Sequence, residues 1–200
     1  LSLLNMDNKT IKAYNQDAKK IAKLHSTLIP ERIYQLIEQF FITEGSSIDI
    51  GCGIGRDTHW LNQQGYPCIG VDASIEMLNE ATSLYPSEQF SEDYLPSLKT
   101  LGDKSFQNIL CSAVLMHIPQ SKLESACQRL LELLKTDGCL IVSFRATNES
   151  DYRENEKLYD PISIEAFLNF FESKGCEILL NESKTEVQRN LTWHNIVIKK

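Results

Sequence analysis

The sequence predicts an α/β domain, a mostly parallel sheet covered by helices on both faces, and three observations carry that reading. From Ile48 onward, short apolar runs alternate with amphipathic helical stretches, the order in which a parallel sheet is assembled. Gly51, Gly53 and Gly55 follow the first of those runs on alternate positions. Two strand-like runs with no helix between them, Cys176–Leu180 and Leu191–Ile198, end the sequence and should pair as an antiparallel hairpin with a long polar tip. The 200 residues suffice for one domain, which buries about 70% of its unfolded surface.

The elements follow in order. Residues from about Lys9 to Phe41 read as helices that Ile29-Pro30 interrupts, with Ile33, Leu36, Ile37 and Phe40 as a helical stripe. Residues 1–44 therefore read as a helical cap on a core spanning 45–200, and Leu1 to Asn5, ahead of Met6, carry no structural weight. Strand Ile48–Ile50 feeds the glycines, and a helix runs from about Arg56 to Gln64. Cys68–Val71 is the next strand, with Asp72 at its carboxyl end, and a short strand surrounds Phe90. Ser121-Lys122-Leu123-Glu124 matches a capping box. Leu123, Ala126, Cys127, Leu130, Leu131 and Leu134 then make an amphipathic helix closed by Asp137-Gly138. Ile164, Phe167, Leu168 and Phe171 repeat that logic in a last helix ended by Gly175.

With 42% hydrophobic and 24% charged residues, the composition is that of a soluble globular protein. No apolar run approaches the roughly 20 residues of a membrane span, and no signal peptide opens the sequence. A net charge of −7 argues against a broad grip on nucleic acid. Lys12, Lys19, Lys20 and Lys23 cluster locally, as the solvated face of a helix usually does. Six cysteines, at 52, 68, 111, 127, 139 and 176, lack any metal-ligand spacing and read as buried, reduced thiols. That pattern suits a cytoplasmic protein.

The chemistry begins at Ile48-Asp49-Ile50-Gly51-Cys52-Gly53-Ile54-Gly55-Arg56-Asp57. Glycine adopts backbone angles closed to other residues and lets the main chain approach a ligand. The following helix aims its free N–H groups at whatever lies over the loop. Asp72, about twenty residues past the first glycine, stands where a carboxylate accepts ribose hydroxyls in dinucleotide folds. Arg56 stands near where a nicotinamide fingerprint wants its third glycine, which weighs against NAD.

At this point the sequence resembles the class I S-adenosylmethionine-dependent methyltransferases. The likeness rests on the glycine loop, Gly70-Val71-Asp72-Ala73-Ser74, the run Ile109 to His117, and Leu133 to Val142. It is closest in kind to small bacterial single-domain members. The resemblance implies a Rossmann-like seven-stranded sheet of order 3-2-1-4-5-7-6, S-adenosylmethionine as cofactor and S-adenosylhomocysteine as product. It implies that Gly51, Cys52 and Gly53 hold the methionine end, that Asp72 with Ala73 takes the ribose, and that Asp49 braces the loop by accepting its N–H groups. Arg56 and Asp57 would meet the amino-acid part; for Asp57 a plain first-turn acid is an equal alternative. Met77 would lie against the adenine, or be ordinary core, and Asp93-Tyr94 would meet the adenine amino group, with Ser91 and Glu92 as competing alignments for the acidic position. Ser112 and Ala113 follow strand four, where the methyl should point. The family usually places an Asp after the aromatic residue that begins this strand; here Gln107 follows Phe106, which should alter a local hydrogen bond only.

His117 is the general-base candidate, against a bland role as a packed helix-start histidine. Tyr14 lies in the segment that often folds over the cofactor as a lid. Acceptor contacts should come from the long polar loop 145–161 and the last hairpin, with Arg145, Tyr159 and Trp193 as candidates. Two acceptor classes lose ground. Base-amino methylases carry Asn/Asp-Pro-Pro-aromatic where this sequence has Cys111-Ser112-Ala113-Val114. Cytosine-carbon methylases need a Pro-Cys there, and the only one here is Pro67-Cys68, entering strand two. The expected function is methyl transfer to a small-molecule acceptor. The alternatives are a protein or RNA acceptor, or a silent cofactor-binding regulatory protein.

Overall fold

The computed structural model describes residues 6–187 and 189–200; the expectation about Leu1 to Asn5 lies outside the described residues. Helices α1 (Asn8–His25) and α2 (Glu31–Phe40) precede β1 (Ser47–Ile50). There follow α3 (Arg56–Gln63), β2 (Cys68–Asp72), α4 (Ile75–Leu84), β3 (Phe90–Glu92), β4 (Phe106–Ser112) and a 3-10 turn at Leu115–His117. The rest is α5 (Gln120–Leu133), β5 (Leu134–Arg145), the short strands β6 (Arg153–Glu154) and β7 (Lys157–Leu158), α6 (Ile164–Ser173), β8 (Glu177–Glu186) and β9 (Leu191–Lys199).

The main sheet runs β3-β2-β1-β4-β5-β9-β8, with β6 and β7 forming a separate ribbon. Counting the sheet's own strands in chain order, this is the 3-2-1-4-5-7-6 of the resemblance. Strands β1 to β5 pair in parallel, and β9 runs antiparallel between β5 and β8. Alternate residues of the central strands serve opposite faces. Ile109, Cys111, Leu140 and Val142 pack toward α5 and α6 through Leu130, Phe167 and Phe171. Leu110, Ile141 and Val197 pack toward α2 and α3 through Leu36, Ile37 and Leu61. Burial on both faces makes these strands read as continuous apolar runs. All six cysteines are buried thiols, as their placement implied.

Several local readings are corrected. Ser121 is no cap, for α5 already begins at Gln120 after Pro119. The first N–H, of Gln120, is satisfied by Asp160 Oδ2 at 3.0 Å, a carboxylate 40 positions away that no local motif announces. The same helix ends at Leu133, before Asp137-Gly138, because Leu134 leaves it to pair with Phe106 of β4. The polar hairpin tip is shorter than expected, since β8 stays paired with β9 as far as Glu186–Leu191. Gln107 Oε1 accepts the Ser46 N–H at 3.2 Å.

Loop 145–161 is built as a clamp. Its ribbon lies against α1, where Arg153 grips Asp7 with both terminal nitrogens at 2.9 and 2.8 Å. The Leu158 N–H donates to Thr10 Oγ1 at 2.9 Å, and Lys157 Nζ sits 4.4 Å from the Tyr14 ring centroid. Asp160 accepts from Asp151 N as well as from Gln120.

Candidate functional site

The glycines serve two purposes. All three have positive φ, at 72°, 54° and 76° for Gly51, Gly53 and Gly55. A Cβ on Gly51 would fall 2.2 Å from Val114 Cγ2, and one on Gly55 would fall 2.3 Å from Phe90 Cζ. Those two are required by packing. A Cβ on Gly53 would meet only Met77 Cε, at 3.3 Å, and Gly53 borders a cavity of about 150 Å³. Gly53 alone fits the idea of a main chain left open to a ligand.

The cavity lies at the carboxyl ends of β1, β2 and β4, under α1. Its walls include Gly51, Cys52, Gly53, Arg56, Asp57, Asp72, Ala73 and Met77. Asp93, Tyr94, Ser112, Ala113, Tyr14 and His117 complete the sequence-derived set that meets there. Asp49 does not line it, nor do Arg145, Tyr159 and Trp193.

Asp72 holds the loop. Its Oδ2 accepts the Gly53 N–H at 2.8 Å and its Oδ1 the Ser74 N–H at 2.8 Å. Burial pushes its carboxyl up, and the N–H groups of Ser74, Gly53 and Ala73 pull it back. Bracing was expected of Asp49, which instead takes the Thr58 hydroxyl of α3 at 2.8 Å. The register explains the exchange. Asp49 faces Gly70 on β2, and Gly70 leaves room for Thr58, whose oxygen would lie 2.8 Å from a Cβ there. Burial, then the nearby Asp57 charge, raise the Asp49 carboxyl well above the usual range.

Arg56 and Asp57 form a pair at 2.8 and 3.1 Å, and Asp57 also accepts the Tyr34 hydroxyl at 2.9 Å. Arg56 further donates to the His25 and Leu28 carbonyls at 3.3 and 2.9 Å, tying the end of α1 to the site. Met77 is both wall and core, with 2% exposure. Asp93 is more committed than expected. Its two oxygens accept from Tyr94 N, Lys99 N, Thr100 N and Thr100 Oγ1, so it shapes the 94–100 loop.

His117 sits in the far wall with both ring nitrogens engaged. Nδ1 lies 2.6 Å from the Leu158 carbonyl, and Nε2 lies 3.0 Å from the Tyr14 hydroxyl. A carbonyl only accepts, so Nδ1 carries the proton, Nε2 is the bare nitrogen, and Tyr14 donates to it. Burial, chiefly, pushes the imidazole down to about 4. That placement works against the general-base role and makes His117 the anchor of Tyr14. Arg145, Tyr159 and Trp193 stand behind this wall. Arg145 pairs with Glu154 at 2.5 Å and lies 4.8 Å over Tyr159, whose ring edges His117; Trp193 faces Arg145 across β5 and β9. The strand register places Arg145 and Trp193 there, and the ribbon that folds onto α1 places Tyr159.

Sequence reasoning missed Met6, Thr10, Ile11, His25, Ile50, Ile54, Ser74, Leu95 and Val114 in the walls. Thr10 and Ile11 lie one turn before Tyr14, so helical spacing from Tyr14 would have found them. His25 has no such signal.

The donor set suits a nucleoside with a short zwitterionic arm. A buried carboxylate lies beside open glycine backbone, Ile54, Met77 and Leu95 offer apolar surface, and an Arg–Asp pair stands at the other end. Among the described residues no cluster is arranged to hold a metal ion.

Fold and site together define an α/β protein with a cavity shaped for a nucleoside-like ligand and a sheet that ends in an antiparallel hairpin. Residues 48–138 match the family described as a methyltransferase domain. The ubiquinone biosynthesis O-methyltransferase of Histophilus somni is 30% identical over 139 residues, 64% of this chain and 56% of that protein. Among solved structures, the Burkholderia thailandensis 1,6-didemethyltoxoflavin-N1-methyltransferase, with 1,6-didemethyltoxoflavin and S-adenosylhomocysteine bound, aligns with a TM-score of 0.75 at 16% identity, covering 96% of this chain and 87% of that one. The 4+2 cyclase SpnF aligns with a TM-score of 0.74 at 13% identity, covering 98% of each chain. At such identities these structures establish the fold alone. The family match, the methyltransferase-named relatives and the fold together support a class I S-adenosylmethionine-dependent methyltransferase. It spans between 44% and 68% of the length of the curated relatives it matches.

Proposed function

We propose that this chain transfers the methyl group of S-adenosylmethionine to a small-molecule oxygen, nitrogen or sulfur acceptor. One observation carries the reading: the glycine loop, Asp72 and the Ser112–His117 stretch, from three different strand ends, line one cavity that α1 roofs.

In this reading Asp72 offers its remaining lone pairs to the ribose hydroxyls, and its N–H partners oppose the upward push of burial on the carboxyl. Gly53 presents backbone, Ile54, Met77 and Leu95 provide the apolar slot for the base, and Arg56 with Asp57 matches the carboxylate and ammonium of the amino-acid arm. The cofactor supplies a methyl group made electrophilic by its sulfonium. The protein's part is alignment and exclusion of water, since a good nucleophile in line needs no base. Tyr14, fixed by His117, and Ser112-Ala113 border the space left for the acceptor. Met6, Thr10 and Ile11 roof that side, which suits a small acceptor better than a protein chain or RNA. The buried thiols suit a reducing, cytoplasmic setting.

A second reading, binding without methyl transfer, has one specific observation behind it: the same fold belongs to a protein named as a cyclase. Calorimetric titration with S-adenosylmethionine, S-adenosylhomocysteine and NADH comes first. Micromolar binding of the first two, followed by label transfer from methyl-labelled cofactor to members of a small-molecule acceptor panel, is the expected result. NADH binding alone overturns the cofactor reading; cofactor binding with no transfer across the panel supports the second reading.

A further inference from the structure

α1 does more than roof the cavity, because its outer face is unlike the rest of the chain. Lys9, Lys12, Lys19, Lys20 and Lys23 are all exposed, and among the described residues none of them forms an ion pair. At 3.6 residues per turn they fall within an arc of about 100° and a length of about 21 Å. The helix's single acid, Asp17, lies on the flank toward Lys157, away from that arc; burial lowers the Lys157 ammonium and Asp17 partly offsets it. In a chain of net charge −7 this is a concentrated patch of positive charge. Large apolar side chains are exposed at the same end. Leu24 is 56% exposed, Leu28 42% and Ile29 71%, and Leu24 stands beside Lys20 on the helix surface.

We infer that this face docks the protein on an anionic lipid surface, with Lys9 to Lys23 over the headgroups and Leu24, Leu28 and Ile29 entering the interface. The charge complementarity calls for an anionic partner, and the apolar tip selects lipid over nucleic acid. Single-stranded nucleic acid is held by aromatic platforms interleaved with basic residues, and the outer face of α1 presents no aromatic ring. The apolar face of α1 is packed on the domain, so lysine attraction to anionic headgroups and burial of Leu24, Leu28 and Ile29 would together hold the protein at an interface. No helix among the described residues is long and apolar enough to cross a membrane, so the association is peripheral. The face is the outer surface of the cavity roof, so docking sets α1 between the cavity and the lipid. This inference needs no methyl transfer and stands or falls separately from the proposed function.

The test is co-sedimentation of the full chain with vesicles of pure phosphatidylcholine and with vesicles holding about 30% phosphatidylglycerol. Binding to the anionic vesicles alone, lost at about 0.5 M salt, is expected. Lys19→Gln/Lys20→Gln/Lys23→Gln should weaken it about tenfold or more. Leu24→Ser/Ile29→Ser should weaken it several-fold with the lysines intact. Circular dichroism and urea unfolding confirm that these exposed substitutions leave the fold unchanged. No binding to anionic vesicles, or binding that survives either variant set, overturns the inference. So does tighter binding to single-stranded RNA that Leu24→Ser/Ile29→Ser does not weaken.

Discussion

Replacing His117 with glutamine isolates one titration that the fold controls. In the folded chain, burial holds the imidazole at about 4, against its ordinary 6.5. A histidine depressed in this way costs nothing above about pH 6.5. As the pH falls toward 4, the unfolded chain takes the proton first and stability is lost. One proton costs about 1.4 kcal/mol per pH unit, so the loss is about 2 kcal/mol by pH 5 and about 3 kcal/mol across the window. The structure says why the folded state refuses the proton. Nδ1–H already donates to Leu158, and a second proton on Nε2 would break the bond from Tyr14 and leave a charge buried between the Tyr14 and Tyr159 rings. Urea unfolding at about pH 7.5 and about pH 5, for the native chain and His117→Gln, reads this out. The native chain should lose about 2 kcal/mol more than the variant. Asp49 and Asp72, whose raised carboxyls tilt stability the opposite way, are common to both and cancel in the difference. A constant penalty from the substitution also cancels. Equal pH slopes would refute the buried, neutral imidazole.

Four further substitutions test other parts of the molecule. Gly51→Ala puts a Cβ 2.2 Å from Val114 Cγ2 at φ 72° and should cost about 2–4 kcal/mol in urea unfolding, whereas Gly65→Ala, at φ 86° with nothing within 4 Å, should cost only backbone strain of about 1 kcal/mol. Asp72→Ala removes the acceptor of the Gly53 and Ser74 N–H groups and should weaken S-adenosylhomocysteine about 100-fold by calorimetry; unchanged affinity would remove Asp72 from the site. Arg153 is the main reason the Asp7 carboxyl is held down at about 2. The stability it confers is present above about pH 4 and lost as the pH falls through 2, so Arg153→Met should cost about 1 kcal/mol at neutral pH, after solvent screening, and almost nothing at pH 2.

The legible parts of this protein were those written in consecutive residues. The three glycines after Ile50, Asp72 at the end of β2 and the apolar stripes of α2, α5 and α6 each report a local rule of backbone freedom or helical period. The parts that misled lacked local partners. Ser121 and Glu124 spell a capping box, yet Asp160 provides the cap. Asp49 stands where a loop brace was expected, and the strand register gives it Thr58 instead. Arg145, Tyr159 and Trp193 carry side chains fit for an acceptor site, yet none lines the cavity: the sheet register pairs Arg145 with Trp193, and Tyr159 packs on His117 from outside.

The sequence by itself therefore determined the order of strands and helices, the glycine loop and the position of the acidic anchor. Only the tertiary structure decided the state of His117, the commitment of Asp93 to its own loop and the clamp that presses α1 over the cavity. The reason is separation along the chain. Tyr14 meets His117 across 103 positions, and Thr10 meets Leu158 across 148. Propensity and periodicity act over a few residues, while protonation state and burial are set by whichever distant groups the packed sheet brings within 3 Å.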